Sequence, residues 1–144
     1  MKRVITLLHG PNLNMLGTRQ PETYGRQSLG DIETVVREEA LGLGWEVVSH
    51  QSNVEGELVD WVQQAAQTSA GIIVNFGAFS HTSVALRDAL HSIDIPAVEV
   101  HISHIHGRED FRRRTLTAEA CVACISGLGV RGYEAALHHL IGIQ

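Results

Sequence analysis

Five short apolar runs alternate along this chain with segments that carry apolar residues every three or four positions. That alternation constrains the fold more than any other feature. The runs are RVITLLH (3–9), WEVVSHQ (45–51), GIIVNF (71–76), PAVEVHIS (96–103) and CVACISGL (121–128). Between the first two, apolar side chains stand at 29, 32, 35, 36, 40 and 43, the spacing of an amphipathic helix. Ser28 and Asp31 predict its start and Gly44 its stop. Residues 54–66 repeat the pattern at 54, 58, 59, 62, 65 and 66, and 82–93 and 130–141 supply two more helices. Strands that alternate with helices imply a parallel sheet covered on both faces. The expectation is one three-layer α/β domain over residues 1–144.

Five strands in a chain of 144 residues suggest a flavodoxin-like sheet in the order 2-1-3-4-5. Ligands of such sheets bind beyond the carboxyl ends of the strands, where strands 1 and 3 diverge. The distribution of polar residues agrees with that rule. His9 to Tyr24 follow strand 1, and Asn75, Ser80 and His81 follow strand 3. Glu99, His101 and Ser103 end strand 4, with His104, His106, Arg108 and Arg112 after it. The loops that follow helices, LGLG (41–44) and IDIP (93–96), are short and plain.

Bulk properties exclude several classes. The net charge of −5 argues against a nucleic-acid surface. No apolar run approaches membrane-spanning length, and the N-terminal one is too short for a signal-peptide core, so a soluble cytoplasmic protein is expected. Cys121 and Cys124 form a C-x-x-C within an apolar run, where positions i and i+3 of a strand face opposite ways. Two buried, unbridged thiols are expected there, not a redox pair. Glycines near strand ends lack the phosphate-loop pattern, which leaves a flavin or nucleotide module poorly supported.

In EVHIS, Glu99, His101 and Ser103 share one strand face, so the carboxylate can orient the imidazole as a general acid. The H-x-x-H-x-H spacing at 101, 104 and 106 raises a metal alternative, as in a metal-dependent hydrolase. The arginines at 108, 112, 113 and 114 suit an anion better than a dication. NFGAFSHTSVALRDAL (75–90) reads as a strand end, a turn and a helix start, whose free amides either attract an anion or oxygen-rich ligand or are simply capped by Ser80 or Thr82. The loop HGPNLNMLGTRQPETYG (9–25) is long for a strand-to-helix connection and holds Arg19 and Tyr24. Ionising a tyrosine at neutral pH costs about 4 kcal/mol. A cation about 4 Å away offsets roughly that much. Lys2 is the only lysine and precedes strand 1, at the wrong end of the sheet for Schiff-base chemistry.

Taken together, GPNLNMLGTRQPETYG, HTSVALRDAL and EVHISHIHGREDFR resemble the type II 3-dehydroquinate dehydratases, and the resemblance extends to GLGVRGY near the C-terminus. It implies reversible trans-dehydration of 3-dehydroquinate to 3-dehydroshikimate through an enolate, without cofactor or metal. The step belongs to the shikimate pathway toward chorismate and aromatic amino acids, or alternatively to quinate catabolism. By the same resemblance, Tyr24 removes the proton alpha to the ketone and Arg19 keeps the tyrosine ionised and stabilises the transition state. Asn12 helps the enolate oxygen, and His101, supported by Glu99, protonates the leaving hydroxyl. Asn75, His81, Arg112, and the backbone at Ile102 and Ser103 bind substrate, and Arg108 closes over it. Asp88 reaches the site of a neighbouring subunit in a homododecamer built from trimers. Phe76, Phe79, His104, Gly107 and Leu116 depart from the usual family pattern, where proline, tyrosine, asparagine, alanine and an aromatic are common.

Overall fold

A computed structural model describes residues 2–18, 22 and 26–144. Strands β1 (Val4–His9), β2 (Glu46–Gln51), β3 (Gly71–Asn75), β4 (Ala97–His101) and β5 (Ala123–Ser126) form one parallel sheet in the order β2-β1-β3-β4-β5. The helices are α1 (Leu29–Gly42), α2 (Glu55–Thr68), α3 (Phe79–Thr82), α4 (Val84–His91) and α5 (Arg131–Gly142). No helix among the described residues is long and apolar enough to cross a membrane.

The pleat sorts the core into two halves. Ile5, Leu7, Ile73, Val98 and Val100 face α1 and α5, packing on Ile32, Val36, Ala40, Tyr133, Leu137 and Leu140. Their neighbours Leu8, Ile72, Val74 and Ala97 face α2 and α4, packing on Leu58, Val62, Leu86 and Leu90. Alternate residues of one strand thus feed opposite layers, and helices cover both faces. The expected architecture, strand order included, is the one observed.

Local chemistry sets the element ends. Ser28 Oγ accepts from Asp31 N at 3.1 Å while Asp31 Oδ2 accepts from Ser28 N at 3.0 Å, a capping box that starts α1. The helix expected over 82–93 is instead two. Ser83 leaves helical geometry so that its Oγ can accept from Leu86 N at 2.9 Å, which makes Ser83, not Ser80 or Thr82, the cap. The cysteines also depart from expectation. Cys121 lies before β5 and is half-buried, and Cys124 is exposed because β5 is an edge strand.

Chain direction opens a crevice at one end of the sheet. From β1 the chain moves to β2 on one side, and from β3 to β4 on the other, so their carboxyl ends diverge. His9 and Asn75 are register partners there, and Gly10 N donates to Asn75 O at 2.8 Å. A Cβ on Gly10 would stand 2.3 Å from Phe76 O, so only glycine lets the two strand ends approach this closely.

Candidate active site

A cavity of about 630 Å³, mouth included, opens at this crevice. Asn12, Asn75, His81, His101, Ile102, Ser103, Arg108 and Arg112 all line it, although five separate stretches of chain supply them. Pro11, Leu13, Leu16 and Ile105 add apolar wall. Arg19 and Tyr24 lie outside the described residues.

His101 and Glu99 leave the same face of β4, as alternation requires. His101 Nε2 sits 2.8 Å from Glu99 Oε2, which leaves Nδ1 for the cavity. Glu99 has no exposed surface. Burial alone would raise its pKa, but the hydrogen bond and charge of His101, with hydroxyls from Thr117 and Thr115, overcome that and hold it below the usual range. Thr115 Oγ1 donates to Oε2 at 2.7 Å and Thr117 Oγ1 donates to Oε1. The carboxylate therefore stays anionic behind the imidazole, which suits a group that steadies a proton donor.

His81 faces this pair, with ring centroids 6.0 Å apart. Its Nδ1 donates to Arg114 O at 2.7 Å, so Nε2 is left as an acceptor. Burial depresses its pKa, and the charges of His101 and Arg112 add to this against the Arg114 bond and Glu99. A neutral imidazole here can accept a hydrogen bond at Nε2.

Asn75 Oδ1 accepts from Gly77 N at 3.2 Å, and Asn75 Nδ2 donates to the hydroxyl of fully buried Tyr133 at 2.8 Å. Both ends of the amide are thereby fixed. Asn12 adopts φ 70, a left-handed conformation that asparagine tolerates, and its N–H donates to Asn53 Oδ1 at 3.0 Å.

The loop after β4 brings two cations to the cavity wall. Arg108 Nη1 donates to Ser103 Oγ at 3.2 Å, and Arg112 Nε donates to Glu109 Oε2 at 2.6 Å. The Arg112 guanidinium also lies 4.9 Å from the Phe111 ring centroid, a cation–π contact at the rim. The Ile102 and Ser103 carbonyls accept from Gly129 N and Ser126 Oγ, which pins the strand exit.

Two expectations do not join this cluster. Asp88 lies exposed on α4 beside Arg87, outside the cavity wall. His101, His104 and His106 do not converge on a common point: His104 and His106 stack on each other with centroids 6.2 Å apart. Sequence reasoning missed Thr115, Thr117 and Tyr133. The threonines meet Glu99 across 16 and 18 residues, with no periodic signal to mark them. Tyr133 was visible in GLGVRGY without a role.

The family model described as dehydroquinase class II matches residues 3–141. A 3-dehydroquinate dehydratase of Nitrobacter winogradskyi is 52% identical over 141 residues, 97% of this chain and 90% of that protein. The crystal structure of the type II dehydroquinase from Propionibacterium acnes superposes with a TM-score of 0.94 at 37% identity, covering 99% of this chain and 98% of that one. The Butyrivibrio crossotus type II dehydroquinase gives 0.95 at 38%, covering 97% and 98%.

Proposed function

This chain belongs to the class II dehydroquinase family, and on that footing we propose that it dehydrates 3-dehydroquinate to 3-dehydroshikimate through an enolate. The observation that carries the reading is the buried Glu99–His101 pair at the wall of a cavity rimmed by Asn12, Asn75, His81 and Arg112. An enolate route needs a base, a stabiliser for the oxyanion and a separate acid.

Tyr24, held ionised by Arg19, takes the proton alpha to the ketone. Asn12 stabilises the enolate oxygen, and His101 gives its proton to the departing hydroxyl, which leaves as water. His81 Nε2 and Asn75 receive and orient substrate hydroxyls, while Ile102, Ser103 and Arg112 meet the carboxylate end and Arg108 covers it. Asp88, exposed on α4, reaches a neighbouring subunit in a homododecamer assembled from trimers. The whole chain acts as one catalytic domain in the cytoplasm, with no cofactor, metal, nucleic acid or membrane. The step serves the shikimate pathway, and the same chemistry in quinate catabolism is the alternative role.

The position of the lysine supports an enolate over an imine. Lys2, the only one in the chain, donates to Gln67 O at the end of α2, beyond the amino ends of the strands. Supplying 3-dehydroquinate and following the conjugated enone tests the reading. Turnover should survive borohydride treatment in the presence of substrate and vanish in Tyr24→Phe. Covalent trapping by borohydride, or a Tyr24→Phe enzyme as active as the parent, would refute it.

A further inference from the structure

Three groups of the kind that bind metal ions meet at the acid pair, and the proposed reaction uses only two of them. Cys124 on β5 stands directly opposite Glu99 on β4 in the parallel register, so both side chains leave the same face of the sheet. Its Sγ lies 3.8 Å from Glu99 Oε2, and that oxygen lies 2.8 Å from His101 Nε2. The ligand atoms of the three residues fall within 4.8 Å of one another, the only such convergence among the described residues. Glu99 and His101 are buried, whereas Cys124 is exposed at the sheet edge and gives an ion a route in.

We propose that Glu99, His101 and Cys124 form a binding site for a thiophilic divalent cation such as zinc, and that its occupancy inhibits the enzyme. A nitrogen, an oxygen and a sulfur donor match what zinc prefers. In a tetrahedral site with bonds of about 2.0–2.3 Å, ligand atoms stand roughly 3.3–3.7 Å apart. The sulfur-to-oxygen separation is already close to this, and the imidazole needs to withdraw from the carboxylate by less than about 1 Å. A fourth position is left for water.

Charge also favours the ion. Zinc with one thiolate and one carboxylate is neutral overall. A coordinating thiol gives up its proton to the field of the dication. On binding, the Sγ–H bond breaks and an Sγ–Zn bond forms. The proton between Nε2 and Oε2 gives way to Nε2–Zn and Oε2–Zn bonds, and both protons pass to solvent without electron transfer. Binding therefore tightens as pH rises, by up to about tenfold per pH unit for each proton released.

Inhibition rests on the dehydratase reading, while metal binding does not. Purified wild-type chain, Cys124→Ser and Cys121→Ser are titrated with zinc during turnover of 3-dehydroquinate. Wild type should lose activity and regain it with a chelator. Cys124→Ser should need at least about tenfold more zinc for the same loss, and Cys121→Ser no more than about twofold more. Separately, cobalt titration should raise a near-ultraviolet thiolate-to-cobalt band in wild type and Cys121→Ser but not in Cys124→Ser. Equal zinc sensitivity in wild type and Cys124→Ser, or no cobalt band in wild type, would overturn the site. A cobalt band without zinc inhibition would overturn the inhibitory role alone. A cobalt band in a protein that turns over no 3-dehydroquinate would leave the site standing and defeat the reading of function instead.

Discussion

Acidification from pH 7 to pH 5 should weaken the scaffold beneath the active site through one residue, His9. Its ring ends β1 with no exposed surface, and neither ring nitrogen has a hydrogen-bond partner. Glu33 Oε1 stands 3.8 Å from Nε2, but that carboxylate is shared with Arg37 at 3.4 Å. Burial, and after it the Arg37 charge, lower the His9 pKa from 6.5 to about 3. The unfolded chain takes up this proton below its ordinary pKa of 6.5, and the folded chain resists until about 3. Stability therefore falls with pH across that window, by about 1.4 kcal/mol per unit. At pH 5 the loss amounts to about 2 kcal/mol, set by the unfolded pKa as long as the folded one lies well below 5. His9→Leu removes the titration and places an apolar group of similar size where no polar partner exists. Urea unfolding at pH 7, 6 and 5, at one protein concentration, should show wild type losing about 2 kcal/mol more than the variant over this range. Parallel pH profiles for the two proteins would refute the reasoning.

Tyr133→Phe leaves the Asn75 amide N–H buried without its acceptor, a penalty of about 1–3 kcal/mol. Steady-state kinetics should show KM for 3-dehydroquinate up by about five- to tenfold, with a smaller change in kcat. Because the Glu99 pKa is lowered on folding, its contribution is present above the unfolded carboxylate value and lost as pH falls through the folded one. Thr117→Val removes one hydroxyl that lowers it, so the acid-unfolding midpoint measured by circular dichroism should move to higher pH. Gly107→Ala places a Cβ 3.0 Å from His104 Cδ2 and should cost about 1 kcal/mol alone, but little in a His104→Asn background. A double-mutant cycle on unfolding free energy reads that coupling.

The elements were legible because each carries its own periodicity. Apolar runs of strand length and three-and-four spacing gave five strands and the helices, and the end of the sheet where the cavity opens followed from connection order alone. What periodicity could not show was mutual support between distant residues. Thr115 and Thr117 reach Glu99, Arg114 O fixes the His81 tautomer, and Tyr133 fixes Asn75 across 58 residues, and each pairing exists only once the sheet has formed. The break at Ser83 was hidden because its side chain competes with the helix for the same backbone amides. Cys124 was misjudged because an apolar run does not reveal whether its strand lies at the edge of the sheet. The two departures at 104 and 107 become one fact in three dimensions, since the histidine ring occupies space that an alanine methyl would need.

The central claim is that His101, steadied by Glu99, protonates the leaving hydroxyl of 3-dehydroquinate. Substituting His101→Asn keeps a hydrogen-bond donor beside Glu99 but removes the acid. The kcat for enone formation, measured beside the parent enzyme at saturating substrate, should fall by about 10²–10⁴-fold while the unfolding profile stays close to that of the parent. A folded His101→Asn enzyme whose kcat remains within about tenfold of the parent would contradict the account.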